Sequence, residues 1–470
     1  MVQKNEALLK RIAKLVRQNQ DLVEQHDKLS REHEKLQAKL ENFKHIVARM
    51  KEKVDLPDEK ELERQHSKKF KMATVLFANI HGFSRISDSM DSEKLMDELD
   101  TVLFKFDMLL KINNIHKIRT IGDSYMCAGG IPVKNITNPI EVVMAALKMQ
   151  QYLEKVRKRS GHDIWDLKIG IHTGPVTADI AGRKKVSYDI KGDTVNITSR
   201  MESSGEVGKI LISVMTYELV KEFFVCEYYG KLPVKYKGDL EMFCVKGLKP
   251  EFCMDGDAFS VNEKFDTKFK LIQFTDIQEI ILDKLEKELP RYLYYHNVKH
   301  TVDVVTEVEL IGWAEGCTDD EVLLLKTAGL FHDAGHTISY DRHEELGCQM
   351  AREFLPKYGY SEEQIGKICD IIMATQMPPK PLSLLEKIIC DADLDYLGRS
   401  DMIPVSNTLY KELKEQDKID SFNDWNKLQE KFISGHQYFT KTARSLREVN
   451  KQKQIERIKS LINGGKYKPE

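Results

Sequence analysis

The spacing of apolar residues changes twice along the 470-residue chain. From Leu8 to Val54 they recur in alternate steps of three and four, the period of a heptad seam. One seam series is Leu8, Leu15, Leu22, Leu29, Leu36, Phe43 and Met50, and the other is Ile12, Asn19, His26, His33, Leu40, Val47 and Val54. No Gly or Pro interrupts the run, so it predicts a coiled coil over 1–56, ended by Pro57. Asn19, satisfied only by its twin when buried in the seam, favours a parallel, in-register homodimer. From Lys71 short apolar runs alternate with helical spacing. MATVLFA (72–78) reads as a strand, the stretch from about Ser92 to Ile112 as a helix, and IGDSYMCAGG (121–130) as a hairpin. A second helix is expected from about Ile140 to Val156, and a strand at LKIGIHTG (167–174), which makes an α+β unit over 70–248. The chain turns polar after Gly247, so 249–274 reads as a linker. From Thr275, the start of a TDIQ capping box, helical spacing dominates and predicts an all-α domain over 275–470.

Charge narrows the partners. Lys and Arg total 72 against 74 Asp and Glu, a formal net charge of -2. The total gives no general positive field, and no nucleic-acid partner is expected. No run reaches the roughly 18 apolar residues of a membrane span, and the charged opening segment lacks the apolar stretch of a secretory signal. The expectation is a cytoplasmic protein with no membrane span in this chain. Eight scattered cysteines without a CxxC pair fit reduced, packing thiols.

Five ordered motifs carry the chemistry of the middle region: FANIHGFS (77–84), IRTIGDSYMCAGGIP (118–132), IGIHTGPV (169–176), YDIKGDTVNITSRME (188–202) and KYKGDLEMFCV (235–245). Together they resemble the class III adenylate and guanylate cyclases. The resemblance implies a ferredoxin-like α+β domain in which a ribose 3′-oxygen attacks the α-phosphorus and expels pyrophosphate. Two Mg2+ or Mn2+ ions per site would serve such an in-line displacement. By the resemblance, positions 79 and 123 hold the metals, with the Ile80 carbonyl completing the set. Asp123 fits, but position 79 is Asn, a neutral ligand where the family has a carboxylate. Arg119 and Asp189 occupy the base-reading positions. A cationic donor beside a carboxylate acceptor complements adenine N1 and N6, so the expected substrate is ATP. Asn196 and Arg200 are four residues apart, hence on one helix face. The resemblance makes Asn196 orient the ribose and Arg200 stabilise phosphate charge. It also makes Lys235 grip the terminal phosphates, although Tyr236 stands where Gly is usual. Since family members draw metal ligands and base readers from opposite subunits, the cyclase domains are expected to form a homodimer.

The last region resembles the HD phosphohydrolase superfamily through YHNVKHT (295–301), FHDAGH (331–336) and CDADLDYLG (390–398). The resemblance implies one divalent metal, of unspecified identity, on His300, His332, Asp333 and Asp393. Asp391 is a rival for the last place. Mixed imidazole and carboxylate ligation suits water activation for attack on phosphorus. The YHNxxH spacing is also similar to that of cyclic nucleotide phosphodiesterases, which makes His296 the acid for the leaving oxygen. His336 and His343, with Glu344, are expected at the rim in supporting hydrogen bonds, with second-metal ligation the alternative. Cyclic AMP is a candidate substrate. A second functional reading follows from Asn79: an ATP-binding module that regulates the hydrolase.

Overall fold

The computed structural model describes residues 67–81, 92–160, 166–181, 187–234, 238–254 and 257–462. The expected coiled coil over 1–56 and Lys235 lie outside the described residues.

The first half is a mixed sheet with helices. Its elements are β1 (Ser67–His81), α1 (Ser92–Ile112), β2 (His116–Ile121), β3 (Ser124–Gly129), α2 (Asn138–Ser160), β4 (Asp166–Ala181), β5 (Ser187–Lys191), α3 (Asp193–Ser204), β6 (Ile210–Ser213), α4 (Val214–Val220), β7 (Phe224–Val234) and β8 (Gly238–Leu248). The strands run in the order β2-β3-β1-β4-β6-β8-β7, with β5 added to β4. β4 and β6 are parallel, whereas β1 with β3, β2 with β3 and β7 with β8 are antiparallel. Leu99, Val102, Phe106 and Leu110 recur at helical spacing on α1 and share a buried core with Val143, Leu147 and Leu153 of α2. Alternating strand residues such as Leu76, Ala78 and Ile80 face the same core.

Two glycines position functional residues. A β-carbon on Gly170 of β4 would stand 2.5 Å from the Glu202 amide nitrogen and 2.8 Å from the Thr198 carbonyl, so α3 lies against β4 only because that side chain is missing. Gly122, at φ 59°, opens the two-residue turn joining β2 to β3, and the second turn residue is Asp123.

Beyond β8 the linker expectation fails. A short 3-10 turn (Pro250–Phe252) and the paired strands β9 (Cys253–Met254) and β10 (Asp257–Val261) precede the 26-residue helix α5 (Glu263–Glu288). The Asn262 side chain caps α5 by accepting from the Phe265 amide at 3.1 Å, and Thr275 sits in mid-helix. The polarity that suggested a linker belongs to the hairpin and to the outer face of α5. Its inner face is apolar and serves two cores. Phe265, Phe269 and Ile272 pack with the sheet domain, whereas Phe274, Ile277, Ile281 and Leu285 pack with the helical one.

The remainder is helical: α6 (Val298–Ala314), α7 (Asp319–Phe331), α8 (His343–Phe354), α9 (Glu362–Met373), α10 (Leu384–Asp393), α11 (Met402–Glu415), α12 (Phe422–Gly435) and α13 (Lys441–Ile462). Complete capping boxes start α7 at Thr318 and α9 at Ser361. Valines 304, 305 and 308 of α6 and the apolar run of α7 form the centre of this bundle. Among the described residues no helix is long and apolar enough to cross a membrane.

Candidate functional site

In the sheet domain, strand register gathers the expected metal positions. Asn79 pairs with Ser124 across β1 and β3, and the Ile80 amide donates to the Asp123 carbonyl at 3.1 Å. Position 79 therefore stands beside the turn that carries Asp123. The set is one carboxylate, one amide oxygen and one backbone carbonyl. Oxygen donors suit a hard divalent ion, but with one negative charge fewer than two carboxylates would supply.

The nucleotide-facing residues form a second group. Arg119 of β2 and Asp189 of β5, 70 positions apart in the chain, come together with Nη1 and Oδ1 separated by 3.9 Å, each about half exposed. Asn196 and Arg200 project from the outer face of α3, opposite buried Val195, Ile197 and Met201. Arg200 Nη2 donates to the Pro233 carbonyl at 2.8 Å, which holds the guanidinium at the end of β7. Every one of these side chains is open to solvent or half-open.

The helical domain concentrates its chemistry inside. Asn297 caps α6, accepting from the amides of Lys299 and His300, and so fixes His300 in the first turn. His332 follows the last residue of α7, and its Nδ1 donates to the Gly329 carbonyl at 2.8 Å, which leaves Nε2 as the free ligand atom. His300 Nε2 lies 3.1 Å from Asp393 Oδ1 and 3.4 Å from Asp333 Oδ2, and His332 Nε2 lies 3.3 Å from the latter oxygen. The ligand atoms of His300, His332 and Asp393 all fall within 4.8 Å of one another. Metal bonds of about 2.0–2.2 Å place neighbouring ligand atoms roughly 3.0–3.5 Å apart, so the spacing fits a divalent ion. Burial opposes charge on His332, yet Asp333 and Asp393 raise its pKa well above the ordinary value. Carboxylates that draw a proton onto this ring draw a divalent cation equally well.

Asp391 is not available to compete. It is buried and accepts from the backbone amides of Phe439 (2.8 Å) and Thr440 (2.7 Å), tying α10 to the approach of α13. Asp393, two residues on, faces the histidines.

Asp333 also looks the other way. Its Oδ1 is 3.9 Å from His336 Nε2 and 3.7 Å from His343 Nε2, and His296, Asp333 and His336 form a second group within ligand spacing. Both ring nitrogens of His336 are buried without a hydrogen-bond partner among the described residues. Burial pulls its pKa down to about 3, so the ring is neutral and fit to ligate. The structure thus departs from the rim expectation for His336, which is an inner ligand candidate facing Asp333. His343, stacked on His336 at 4.0 Å between centroids, donates from Nδ1 to the Tyr340 carbonyl and is partly open.

One residue escaped the sequence reading. Glu412 of α11 is fully buried, and its Oε1 lies 2.6 Å from His296 Nδ1 while Oε2 accepts from the amides of Tyr295 and His296. Burial alone would lower the His296 pKa, but the Glu412 hydrogen bond and the nearby Asp333 and Asp393 carboxylates raise it. A buried Glu on the inner face of α11 was the only signal, and no motif surrounds it.

Family comparison identifies both halves. The family model described as the adenylate and guanylate cyclase catalytic domain matches residues 65–247, and the HD domain model matches 297–395. The chain carries a class III cyclase domain followed by an HD domain. It is 36% identical over 176 residues to guanylate cyclase soluble subunit beta-2 of Homo sapiens, covering 37% of this chain and 28% of that one. It is 35% identical over 181 residues to an adenylate cyclase of Mycobacterium bovis, covering 38% and 41%. The chain therefore spans well under half the length of these two relatives. A solved guanylate cyclase domain from Catenaria anguillulae, in complex with GTP, is 31% identical, with a TM-score of 0.36 over 39% of this chain and all of that one.

Proposed function

We propose that the cyclase domain converts ATP to cyclic AMP and pyrophosphate within a homodimer, and that the HD domain hydrolyses a phosphoester, with cyclic AMP the first candidate. The juxtaposition of Arg119 and Asp189 carries the ATP assignment. A carboxylate accepts from the adenine N6 amino group, and the neighbouring guanidinium donates to N1. Guanine offers the reverse polarity and would meet a donor with a donor. The relatives include enzymes of both kinds, so this pair is what distinguishes the substrates.

Bound Mg2+ or Mn2+ would supply charge neutralisation at the α-phosphate and the leaving pyrophosphate. Asn79, the Ile80 carbonyl and Asp123 would hold the ions, and Asn79 weakens the site by one charge. Asn196 orients the ribose, Arg200 stabilises charge growing on the phosphate, and Lys235 contacts the terminal phosphates. The half-open state of these groups agrees with completion of each site by a second copy, joined through the amino-terminal coiled coil and the cyclase domains. In the HD domain, His300, His332, Asp333 and Asp393 would hold a divalent ion that polarises a phosphoryl oxygen. His296, oriented by Glu412, gives its Nε2 proton to the leaving oxygen.

Purified protein incubated with ATP, GTP and Mn2+, then separately with cyclic AMP, tests both halves. Cyclic AMP formed in excess over cyclic GMP is expected, and excess cyclic GMP overturns the base assignment. Asn79 supports one second reading, an ATP-binding module that regulates the hydrolase. ATP binding without product would favour it.

A further inference from the structure

The eight cysteines are all free thiols, and packing brings two of them together. Cys348 lies on α8 and Cys369 on α9, 21 positions apart in the chain. Cys348 Sγ is 3.5 Å from the Cys369 carbonyl oxygen, and Cys369 Sγ is 3.8 Å from the Cys348 carbonyl oxygen, so each sulfur rests on the other residue. The two thiols also hydrogen-bond to each other. The pair belongs to the core of the HD domain but lies just beneath its surface. Cys348 is 7% and Cys369 3% exposed, and they are flanked by the exposed residues Arg352, one turn beyond Cys348, and Asp370, next to Cys369. The hydrogen bond from Cys348, helped by the Arg352 guanidinium, holds the Cys369 thiol below its ordinary range, whereas the same bond and burial push the Cys348 thiol up. Cys369 is therefore the nucleophile of the pair and Cys348 the resolving thiol.

α8 is seated directly against the segment that carries two of the metal-ligand candidates. A β-carbon on Gly347 would stand 2.5 Å from the Phe331 carbonyl oxygen and 3.4 Å from that of His332, and one on Gly335 would stand 2.9 Å from the Gly347 amide nitrogen. Backbones packed this closely leave no slack, so a displacement of α8 at Cys348 passes to His332 and Asp333. We propose that Cys348 and Cys369 are a redox switch of the HD domain, in which a hydroperoxide closes a reversible disulfide that draws α8 toward α9 and displaces His332 and Asp333 from the metal site. The Cys369 sulfur attacks one oxygen of hydrogen peroxide, breaking the O–O bond, and becomes a sulfenic acid as the first water leaves. The Cys348 sulfur then attacks the sulfenyl sulfur, forming the S–S bond, and the hydroxyl departs with the Cys348 proton as a second water. Two thiols thus lose two electrons, and one peroxide is reduced to two waters. An S–S bond of about 2.05 Å brings the sulfurs closer than a thiol hydrogen bond does, by on the order of 1 Å. Misplacing a catalytic group by about that much can cost roughly 100-fold in rate.

The test uses the full chain, reduced, freed of reductant, exposed to hydrogen peroxide, cleared with catalase and only then given Mn2+. Peptide mass spectrometry should find Cys348 linked to Cys369, with the loss of two titratable thiols per chain at these positions. Calorimetric titration should show Mn2+ binding at least tenfold more weakly at the site that His332→Ala abolishes, and hydrolysis of bis(p-nitrophenyl) phosphate should fall at least tenfold. Dithiothreitol should reverse all of these changes. Cys348→Ser and Cys369→Ser should each retain Mn2+ binding and hydrolysis after the same treatment. Absence of the linked peptide, or a linked peptide with Mn2+ affinity unchanged, would overturn the switch. A reduced chain that binds Mn2+ but cleaves no phosphoester would instead refute the hydrolase reading, and the Mn2+ titration would still decide the switch.

Discussion

The two sites in this chain are built on opposite plans. In the HD domain the imidazoles and carboxylates converge from three helices into a buried cluster whose histidines are held in place: the His300 backbone amide by Asn297, the His332 ring by the Gly329 carbonyl and the His296 ring by Glu412. In the cyclase domain Arg119, Asp189, Asn196 and Arg200 are exposed or half-exposed, with Arg119 and Asp189 facing each other and Arg200 held at the Pro233 carbonyl. A site that lies wholly within one chain can exclude water by itself and so can bury its charges in pairs. A site whose far wall is another molecule must leave its groups exposed until that molecule arrives. Surface electrostatics of the second kind are weak until desolvated, so in the proposed homodimer the second copy would supply both geometry and low dielectric.

Breaking either site should therefore leave the other working. The largest effect is expected from His332→Ala, which removes a buried ligand. Phosphoester hydrolysis should fall by roughly a thousandfold or more and the purified protein should lose its divalent metal by elemental analysis, while ATP turnover persists. Arg200→Ala should cost about 100- to 1,000-fold in cyclase kcat with HD hydrolysis retained, since a charge-stabilising donor is lost from an exposed position that the fold does not need. If both activities collapsed together, the independence of the two sites would be refuted.

Asn79→Asp sharpens the contrast from the other direction. Restoring the carboxylate should raise Mg2+-dependent cyclisation by about tenfold or more, read as initial rate against Mg2+ concentration. An unchanged rate would show that position 79 does not face the metals.

The smallest effect concerns the joint between the domains. Glu141, in the first turn of α2, is lifted to about 7 by burial, against hydrogen bonds from Asn135 and Thr137 that pull it down, with Asp276 of α5 adding to the rise. Between an unfolded value of about 4.3 and this folded value the native chain holds more protons, so its stability should decline as pH rises across that window and level off above it. Glu141→Gln should flatten the decline in thermal unfolding curves taken from pH 5 to 8. A slope equal to that of the parent chain would remove Glu141 as its source.

Much of this architecture was legible in the order of residues. Helix Ser92–Ile112 is found where apolar spacing put it, and the hairpin carrying Asp123 surrounds the glycine its turn requires. The ordered His, His-Asp and Asp motifs named the HD cluster. Helix α5 was misread because its start, Asn262 followed by Glu263, is embedded in polar sequence, and its apolar face is divided between two cores. Periodicity does not say which body a face will meet.

Sequence alone determined which groups are present: the five cyclase motifs and the departure at Asn79, while the pairing of a cation at 119 with a carboxylate at 189 was implied by the resemblance to the class III cyclases. Local spacing suffices for the motifs because a motif records chemistry along the chain. Only the tertiary structure decided that Asp391 is spent on backbone amides, that His336 turns inward to Asp333, and that Glu412, 116 residues away, stands behind His296. Each of those outcomes depends on which buried polar atom finds a partner when distant helices pack, and that choice is made by the geometry of the whole core.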